Sequence, residues 1–278
     1  MTAGRGLVLA AASVVLLALR AEGQRPAAGA AIDLTSFRYE RPIPRGDGLT
    51  TITLDAAARA HSRLDDIRVV DAERRQIPYL LEPADSPLVI ELPAVEPLKS
   101  ADRLTRYRVR LPYAGLPDAD LRLQTSDRVF RREITVDATR AAWSHDDPST
   151  AAPDFDAALP GRVASDSLMI AVDDGDNKKL SITSVTLRVP TYRLRFFNDS
   201  SATLRLVYGD STRAAPRYDL ALVAAQLRDS AATAVDAAPE HVVQETSRGP
   251  RTAFWAVLVL TVVILIGLIA RLVRVRAT

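Results

Sequence analysis

The sequence contains 278 residues, of which 47% are hydrophobic and 25% charged, with a formal net charge of +2 and no cysteine. This composition is typical of a globular protein and excludes disulfides, thiol catalysis and cysteine-ligated metals. The arginines are mixed with aspartates rather than gathered in the concentrated basic face that nucleic-acid binding requires, so no nucleic-acid partner is expected.

The N-terminus has the features of an export signal. Arg5 supplies a positive charge, residues 7–19 form a short apolar segment, and Ala21-Glu22-Gly23 places small residues where a signal peptidase reads them. We expect a signal peptide over 1–23, with Gln24 as the first mature residue. An uncleaved N-terminal anchor is the alternative, and either arrangement exports the chain that follows.

A flexible leader is predicted over 24–31, and period-two alternation of apolar and polar residues begins after it. That alternation is typical of antiparallel strands with one buried face. In the clearest strand, TRYRVRLP, Tyr107, Val109 and Leu111 share one face and three arginines share the other. Turn-forming residues separate the strands about every ten residues, the spacing of a β-sandwich. We expect a first sandwich over 32–112.

The second half of the chain repeats this pattern and predicts a second sandwich over 113–225. The apolar set changes from even to odd numbers near Thr183-Ser184, which indicates a β-bulge or bend. Two alternating segments flank Asn198-Asp199-Ser200-Ser201, which predicts a hairpin, and the polar segment 141–160 is expected to be a long loop. The fold class is therefore all-β, with two antiparallel sandwiches of the jelly-roll or immunoglobulin-like type.

The C-terminal part of the sequence predicts a membrane anchor. Residues 253–270 carry no charge, and about 1.5 Å per residue gives roughly 27 Å of helix, close to the hydrocarbon thickness of a bilayer. We expect a stalk over 226–252, a transmembrane helix over 253–273 and a basic cytoplasmic tail over 274–278. The expected location is the inner (cytoplasmic) membrane, with a single pass and the bulk of the chain periplasmic.

Three segments, LDDIRVVDAERRQIPYLLEP, VDDGDNKKLSITSVTL and LRLVYGDSTRAAPRYDLAL, together resemble the bacterial family catalogued as domain of unknown function 3999. The resemblance covers most of residues 35–225. It implies an exported protein of β-sandwich domains with a C-terminal anchor, the second domain similar to galactose-binding-like jelly rolls. It implies no activity and no functional residues.

An acidic turn is the candidate metal site. Asp173, Asp174, Asp176 and Asn177 surround Gly175, and closely spaced carboxylates on a glycine turn can supply several of the oxygen ligands that calcium takes. The spacing is not that of an EF-hand, and aspartate and asparagine also favour turns by bonding their own backbone. The open alternatives are a structural calcium site and an ordinary turn; no other cofactor is expected.

The predicted loop 141–160 holds the candidate ligand-binding residues, since loops commonly display binding groups. An aromatic ring beside carboxylates and an imidazole suits sugar stacking, and paired carboxylates are the groups that glycoside hydrolysis uses. The candidates are Trp143, His145, Asp146, Asp147 and Phe155, with Asp154 beside them.

Enzyme motifs are lacking in the sequence, so we do not expect an enzyme. His61, His145 and His241 are far apart, and no HExxH, GxSxG, Walker or dinucleotide-binding pattern is present. The arginine face of 106, 108 and 110 suits either an anionic partner or an ordinary solvated strand.

Three functions follow as hypotheses. The first is a membrane-anchored, non-catalytic ectodomain that binds an envelope glycan or a similar ligand. The second is an accessory subunit of a membrane complex, with a membrane protein as partner. The third is a hydrolase that uses the loop over 143–156.

Overall fold

The computed structural model describes residues 27–98, 103–243, 255, 258, 259, 261 and 262, and these form a mostly β structure, as predicted. The helical elements are α1 (Ala56–His61), a 3-10 helix (Asp219–Val223) and α2 (Ala224–Arg228). The strands are β1 (Tyr39–Pro42), β2 (Gly48–Thr53), β3 (Arg68–Val70), β4 (Gln76–Ile77), β5 (Tyr79–Pro83), β6 (Leu88–Glu91), β7 (Glu96–Pro97), β8 (Leu104–Arg110), β9 (Pro117–Thr125), β10 (Phe130–Val136), β11 (Thr139–His145), β12 (Phe155–Arg162), β13 (Ser167–Asp173), β14 (Ile182–Val189), β15 (Tyr192–Asn198), β16 (Arg205–Tyr208), β17 (Thr233–Ala234) and β18 (His241–Val242).

These strands form four sheets around two large cores. The sheets β18-β1-β16-β3-β4 and β17-β2-β15-β5 contribute to one core, which includes Ile52, Val69 and Phe196, and we call them the outer pair. The sheets β12-β9-β14-β6 and β11-β10-β13-β8-β7 contribute to the other core, which includes Leu121 and Ile134, and we call them the inserted pair. Two sheets that share one apolar core each bury one face in it. In the outer pair, the other face of β3 and β16 is also partly covered, because Val70 and Val207 form a small separate cluster with Phe37.

The division of strands between the cores differs from the predicted boundary at residue 112. Strand β8, assigned by the sequence to the first sandwich, pairs with β13, while β15, assigned to the second, pairs with β2 and β5. The inserted pair therefore interrupts the outer pair instead of following it. Alternation along a strand reports which side chains are buried, but it carries no information about the partner strand.

Within individual strands the alternation pattern is confirmed. In β8, Thr105, Tyr107 and Val109 are buried, and the arginines between them are exposed. The register of β14 against β9 shifts between Ile182 and Ser184, which confirms the predicted bulge at that point. Beyond the bulge, Val185, Leu187 and Val189 lie in the inserted core.

The predicted hairpin around residue 199 is wrong. β15 pairs with β2 and β5, whereas β16 pairs with β1 and β3 in the other sheet of the outer pair. Asp199 Oδ1 accepts hydrogen bonds from the Ser201 amide at 2.8 Å and from its hydroxyl at 2.7 Å. This side-chain-capped turn carries the chain from one sheet to the other, which local turn composition cannot distinguish from a hairpin.

The predicted flexible leader is held by backbone hydrogen bonds. The amide of Gly29 donates to the carbonyl of Gln76 at 2.7 Å, and the amide of Ile32 donates to the carbonyl of Arg74 at 3.0 Å. Residues 29–32 therefore lie along the chain segment that contains β4. Small residues such as those of QRPAAGAA give no apolar periodicity, so the sequence carried no sign of this pairing.

The first part of the predicted stalk also belongs to the fold, and we call residues 233–240 the strap. β17 pairs in parallel with β2, and the amides of Val235 and Ala238 donate to the carbonyls of Thr51 and Pro42, each at 2.9 Å. Val235 and Ala237 also pack against the outer core. Backbone bonds provide most of this attachment, which explains why an alanine-rich composition did not predict it.

The expected signal peptide and basic tail lie outside the described residues, as does most of the expected transmembrane helix. Trp255, Leu258, Val259, Thr261 and Val262 are described and are helical and exposed. Among the described residues, no helix has both the length and the apolar character that a membrane crossing requires. The chain divides into two compact units, Met1–His241 and Val242–Thr278.

Hydrogen exchange tests the strap. We expect the amides of Val235 and Ala238 to exchange slowly, because each donates to a backbone carbonyl of the outer pair. The amides of the exposed residues 146, 147, 150 and 151 are the internal reference for rapid exchange and can be followed by the same mass-spectrometric measurement. Exchange of 233–238 as fast as that of the reference amides would contradict the attachment.

Candidate functional site

The two aromatic residues of the predicted binding loop are core residues. Trp143 lies on β11 and is 3% exposed, and its indole N–H donates to the Pro153 carbonyl at 2.8 Å. Its ring meets that of Phe130 edge-on at 5.2 Å and lies 5.6 Å from that of Phe155, which is on β12 and 5% exposed. Sugar stacking requires an open ring face, and neither Trp143 nor Phe155 presents one here. The predicted loop is thus shorter, spanning 146–154.

The polar candidates of the loop bond mainly to one another. Asp147 accepts the Ser149 amide at 2.8 Å and the Ser149 hydroxyl at 2.6 Å, and these hydrogen bonds lower the pKa of Asp147. His145 Nε2 lies 3.1 Å from the Thr150 hydroxyl, which also donates to Asp147 at 3.1 Å. Asp146 is exposed. The structure therefore joins His145 to Asp147 through Thr150 and uses both side chains to hold the loop.

Asp154 belongs to a different surface. Its carboxylate lies 3.2 Å from Arg122 and accepts a hydrogen bond from Gln124 at 3.0 Å. Arg122 also pairs with Asp156 at 2.8 Å. This ion-pair group lies across β9 and β12, and Asp154 makes its contacts there rather than with His145 or Asp147.

The four residues of the acidic turn point to different partners. Asp174 is 4% exposed, and its carboxylate accepts bonds from Arg132 at 3.2 Å and from the Thr105 hydroxyl at 2.5 Å. Asp176 pairs with Arg103 at 2.7 Å, Asp173 accepts the Gly175 amide, and the Asn177 side chain donates to the Asp174 carbonyl. These contacts favour a turn held by protein groups.

No group of three or more metal-ligating side chains (His, Cys, Asp or Glu) is arranged to hold an ion within the part of the chain that the structure describes. The buried pair Arg132–Asp174 instead fixes the turn against the inserted core. Removing two charges from water costs free energy, which a buried ion pair recovers only through close geometry and further hydrogen bonds. The Leu180 amide supplies one such bond, to Asp174 Oδ1 at 3.2 Å.

Helix α1 lies at the junction of the two sheet pairs. Ala58 belongs to the outer core and Ala60 to the inserted core. Asp55 caps the helix by accepting the Ala58 amide at 3.0 Å, and the same carboxylate binds Arg41 through two hydrogen bonds of 2.7 Å. Six residues are too few to form a stable helix alone, so this cap and the two cores hold it.

The C-terminal end of α1 is bound to the inserted pair through Arg162. Its guanidinium donates to the carbonyls of Ala60 at 2.9 Å and Gly115 at 2.6 Å, and also to the carbonyl of Ser62. A cation is favourable at the C-terminus of a helix, where carbonyl groups lack intrahelical partners. Gly115 has a φ of +88°, and a Cβ there would lie 2.9 Å from the Ala60 carbonyl, so the two pairs approach closely at this point.

A cleft of about 270 Å³ opens beside this junction. Helix α1, the segment after it and the outer pair provide four of its residues, and the inserted pair provides the other four. The lining residues are Arg59, Arg63, Leu64, Tyr192, Pro117, Asp118, Gly161 and Arg162. Three arginines and one aspartate give the lining a formal charge of +2. An opening of this kind between two modules is a common position for a ligand site.

Arg59 is the most buried charge of the cleft, with 4% exposure. Its guanidinium lies over the Tyr192 ring at 4.7 Å, and its Nε donates to the Pro190 carbonyl at 3.0 Å. Burial lowers the pKa of Arg59, and the charge of Arg162 lowers it further, whereas Tyr192 and the Asp118 carboxylate act in the opposite sense without restoring the ordinary value. The guanidinium stays protonated, so the cleft wall carries a desolvated positive charge.

Three cleft residues adopt the left-handed backbone region. Leu64 has a φ of +69°, Asp118 of +44° and Gly161 of +74°. Asp118 Oδ1 accepts the Gly161 amide at 2.9 Å, which links the two strands at the cleft wall. A positive φ is unusual for leucine and costs free energy, and such residues concentrate at ligand sites.

A second polar group lies on the opposite side of α1, around His61. The His61 ring stacks on Tyr39 at 4.3 Å and meets Tyr113 of the inserted pair edge-on at 5.4 Å. His61 Nδ1 is 2.9 Å from both carboxylate oxygens of Glu240, and the Tyr208 hydroxyl donates to Glu240 at 2.6 Å. Burial and the Glu240 carboxylate raise the pKa of Tyr208. The strap is thus tied to α1 through Glu240.

Sequence reasoning did not find the cleft. Arg59 lies in the run AAARAH, where a single arginine among alanines is typical of a solvated helix face. The residues that surround it come from segments near 60, 117, 161 and 192, which only the tertiary fold brings together. The one usable sign was a helix-forming run with an aspartate cap, DAAARAH, inside a β-rich sequence.

Comparisons with protein-family models, with curated proteins and with solved structures give no match for the chain. The functional interpretation therefore depends on the residues described above.

Replacing Trp143 by alanine tests its role in the core. We expect Trp143→Ala to lower the free energy of unfolding by about 3–5 kcal/mol, because it removes a buried indole and leaves a cavity. Val129→Ala, at a side chain that is 63% exposed, is the control and should change it by less than about 0.5 kcal/mol. Equilibrium denaturation measures both. Equal, small effects of the two substitutions would contradict the core assignment.

Asp55 makes the attachment of α1 sensitive to acid. Burial raises the pKa of Asp55, but hydrogen bonds from Arg41 and the Ala58 amide more than offset this, so the pKa lies below the ordinary 3.8. A carboxylate with a lowered folded-state pKa contributes stability above its unfolded pKa, and this contribution is lost as the pH falls through the folded-state value. The wild-type chain should therefore lose stability as the pH falls below about 4.

Two substitutions separate the cap from the charge. Asp55→Ala removes both and should lower the free energy of unfolding at neutral pH by about 2–3 kcal/mol. Asp55→Asn keeps a capping oxygen, so its loss should be smaller. Both variants should show a weaker dependence on acid than the wild type in denaturation curves between neutral and acidic pH. A wild-type acid profile in Asp55→Ala would contradict the assignment.

Proposed function

We propose that this protein is a membrane-anchored, extracytoplasmic, non-catalytic binding protein that recognises an envelope glycan or a similar ligand. The observation that carries the proposal is the cleft at α1, which is concave, lies between two sheet pairs and combines an aromatic ring with several hydrogen-bond donors. Sites that bind small ligands commonly have this combination of a shaped wall and a few polar groups.

Each sheet pair is proposed to be one β-sandwich, with the inserted sandwich lying between two segments of the outer one. The two separate cores support this interpretation, because each collects side chains from two sheets. A rigid pair of sandwiches would keep the cleft walls at fixed positions, which reduces the entropy lost when a ligand binds.

Membrane attachment by the helix predicted over 253–273 is part of the same proposal. The apolar composition of that segment and the signal-like N-terminus support a single-pass protein with its bulk outside the cytoplasm. In this arrangement the strap joins the outer core to the segment that leads to the bilayer.

A glycan-binding measurement on the full chain in an uncharged detergent tests the function. We expect saturable binding of at least one envelope polysaccharide from a panel of acidic and neutral examples. Tyr192→Ala should abolish it, because the Tyr192 ring lines the cleft and supports Arg59. Tyr113→Ala is the matched control, since Tyr113 is also a partly buried tyrosine at the junction but does not line the cleft.

Failure of the folded wild-type chain to bind any member of the panel would contradict the proposal. In that case, recovery of a stoichiometric membrane protein with the full chain in mild detergent would favour the accessory-subunit hypothesis. Repeating the panel with calcium and with a chelator tests the acidic turn in the same experiment. Binding that is unchanged by the chelator would argue against a calcium requirement.

A further inference from the structure

We infer that the cleft binds an oxyanion, a carboxylate or phosphate group on a sugar-sized ligand, and that Arg59 is its principal charged contact. The inference rests on the proposed function, because it specifies the ligand class of the same cleft. The observation behind it is a difference between Arg59 and the other buried arginines in their ion pairs and hydrogen bonds.

Five arginines are buried among the described residues, and four of them are compensated by protein groups. Arg41 pairs with Asp55, Arg132 with Asp174 and Arg195 with Glu82. Arg68 has no carboxylate partner, but its guanidinium donates three hydrogen bonds to carbonyl oxygens. Burying a charge is costly unless such partners replace water, so these four follow the expected rule.

Arg59 departs from that rule. No carboxylate of the described residues forms an ion pair with it, and its one hydrogen bond goes from Nε to the Pro190 carbonyl. A guanidinium has five N–H donors, so both Nη groups remain available. The only buried side-chain polar atom without a partner among the described residues is Ser62 Oγ. The Nη groups of Arg59 are therefore accessible, and the space that Arg59 lines is the cleft.

The two other arginines of the lining strengthen the positive field around Arg59, and the single carboxylate, Asp118, offsets only part of it. Arg63 donates to the Ser211 carbonyl and Arg162 donates to carbonyls at the end of α1, and no ion pair to a described carboxylate involves either. Asp118 is the single acid of the lining, and its Oδ1 is bound to the Gly161 amide. An oxyanion would supply the missing acceptors and would form charge-assisted hydrogen bonds with a fork-shaped donor.

The cleft is also shaped for a small group. Its volume of about 270 Å³ lies just below the roughly 300–1,000 Å³ of pockets for drug-sized ligands. One sugar ring or a phosphate group therefore suits it better than an oligosaccharide. The stack of Arg59 on Tyr192 and the left-handed residues at Leu64 and Asp118 hold the walls in place before a ligand arrives.

A second cavity, of about 370 Å³, lacks this electrostatic character. It is lined by residues around Asp137, Pro160 and Ser165 and shares only Arg162 with the cleft. Arg162 already donates to three carbonyl oxygens, and Asp137 adds a negative charge. The lining of the second cavity therefore includes no arginine whose Nη groups both lack hydrogen-bond acceptors, and the oxyanion is assigned to the cleft.

The test is a calorimetric and thermal-shift titration of the full chain in an uncharged detergent at constant ionic strength. The probes are inorganic phosphate, D-glucuronate and, as the neutral analogue of glucuronate, D-glucose. The proteins are the wild type, Arg59→Gln, Arg63→Gln and the control Arg217→Gln. Arg217 is exposed and outside the cleft, so its substitution changes the net charge equally without changing the lining. Constant salt keeps general screening the same in every titration.

We expect phosphate or glucuronate to bind the wild type and Arg217→Gln saturably and to raise their melting temperatures, with no effect of glucose. Arg59→Gln should weaken that binding by about tenfold or more, and Arg63→Gln should weaken it less. The relative strength of phosphate and glucuronate identifies the oxyanion. If Arg59→Gln does not fold, Arg63→Gln decides the question, because its side chain is exposed.

Two results would overturn the inference: absence of saturable binding of both anions to the folded wild type, or unchanged anion binding in every cleft variant that folds. The proposed function fails separately. Binding of a neutral glycan that Arg59→Gln does not affect would refute the oxyanion and leave glycan recognition intact. Anion binding that depends on Arg59, without binding of any glycan, would retain the oxyanion site and refute glycan recognition.

Discussion

The attachment of a six-residue helix to both cores is the constraint on which the rest of the structure depends. Asp55 and Arg41 fix the start of α1, and Arg162 binds the carbonyls at its end. Because Ala58 and Ala60 belong to different cores, the helix cannot move without disturbing both sheet pairs. The position of Arg59 relative to the inserted pair, and therefore the shape of the cleft, follows from this double attachment.

The same helix connects the cleft with the strap. His61 lies two residues after Arg59 and meets Glu240, the last residue of the strap, while its ring contacts tyrosines from both sheet pairs. One short element thus joins the outer core, the inserted core and the segment that precedes the proposed anchor. A chain without disulfides must obtain such rigidity from packing, capping and ion pairs, and α1 is held by all three.

The candidate sites predicted from sequence show why residue type alone is a weak guide to function. Trp143 and Phe155 adjoin polar residues in the sequence, yet they pack in the inserted core. Asp174 is a residue of the type that binds calcium, yet it compensates a buried arginine. Arg59 is buried with one hydrogen bond and no ion pair to a described carboxylate, and burial of this kind cannot be seen in a sequence. The resemblance to the family of domain of unknown function 3999 stays a prediction.

The sequence by itself determined the β-rich class, the faces of individual strands and the bulge near Ser184, because these depend on alternation between neighbouring residues. Tertiary structure alone decided that β8 pairs with β13, that the inserted pair interrupts the outer one, and that residues 233–240 are a strap. It also decided the cleft, whose walls come from segments more than 100 residues apart in the chain. Local patterns record which side chains avoid water, whereas pairing and site formation depend on contacts between distant segments, which no local pattern encodes.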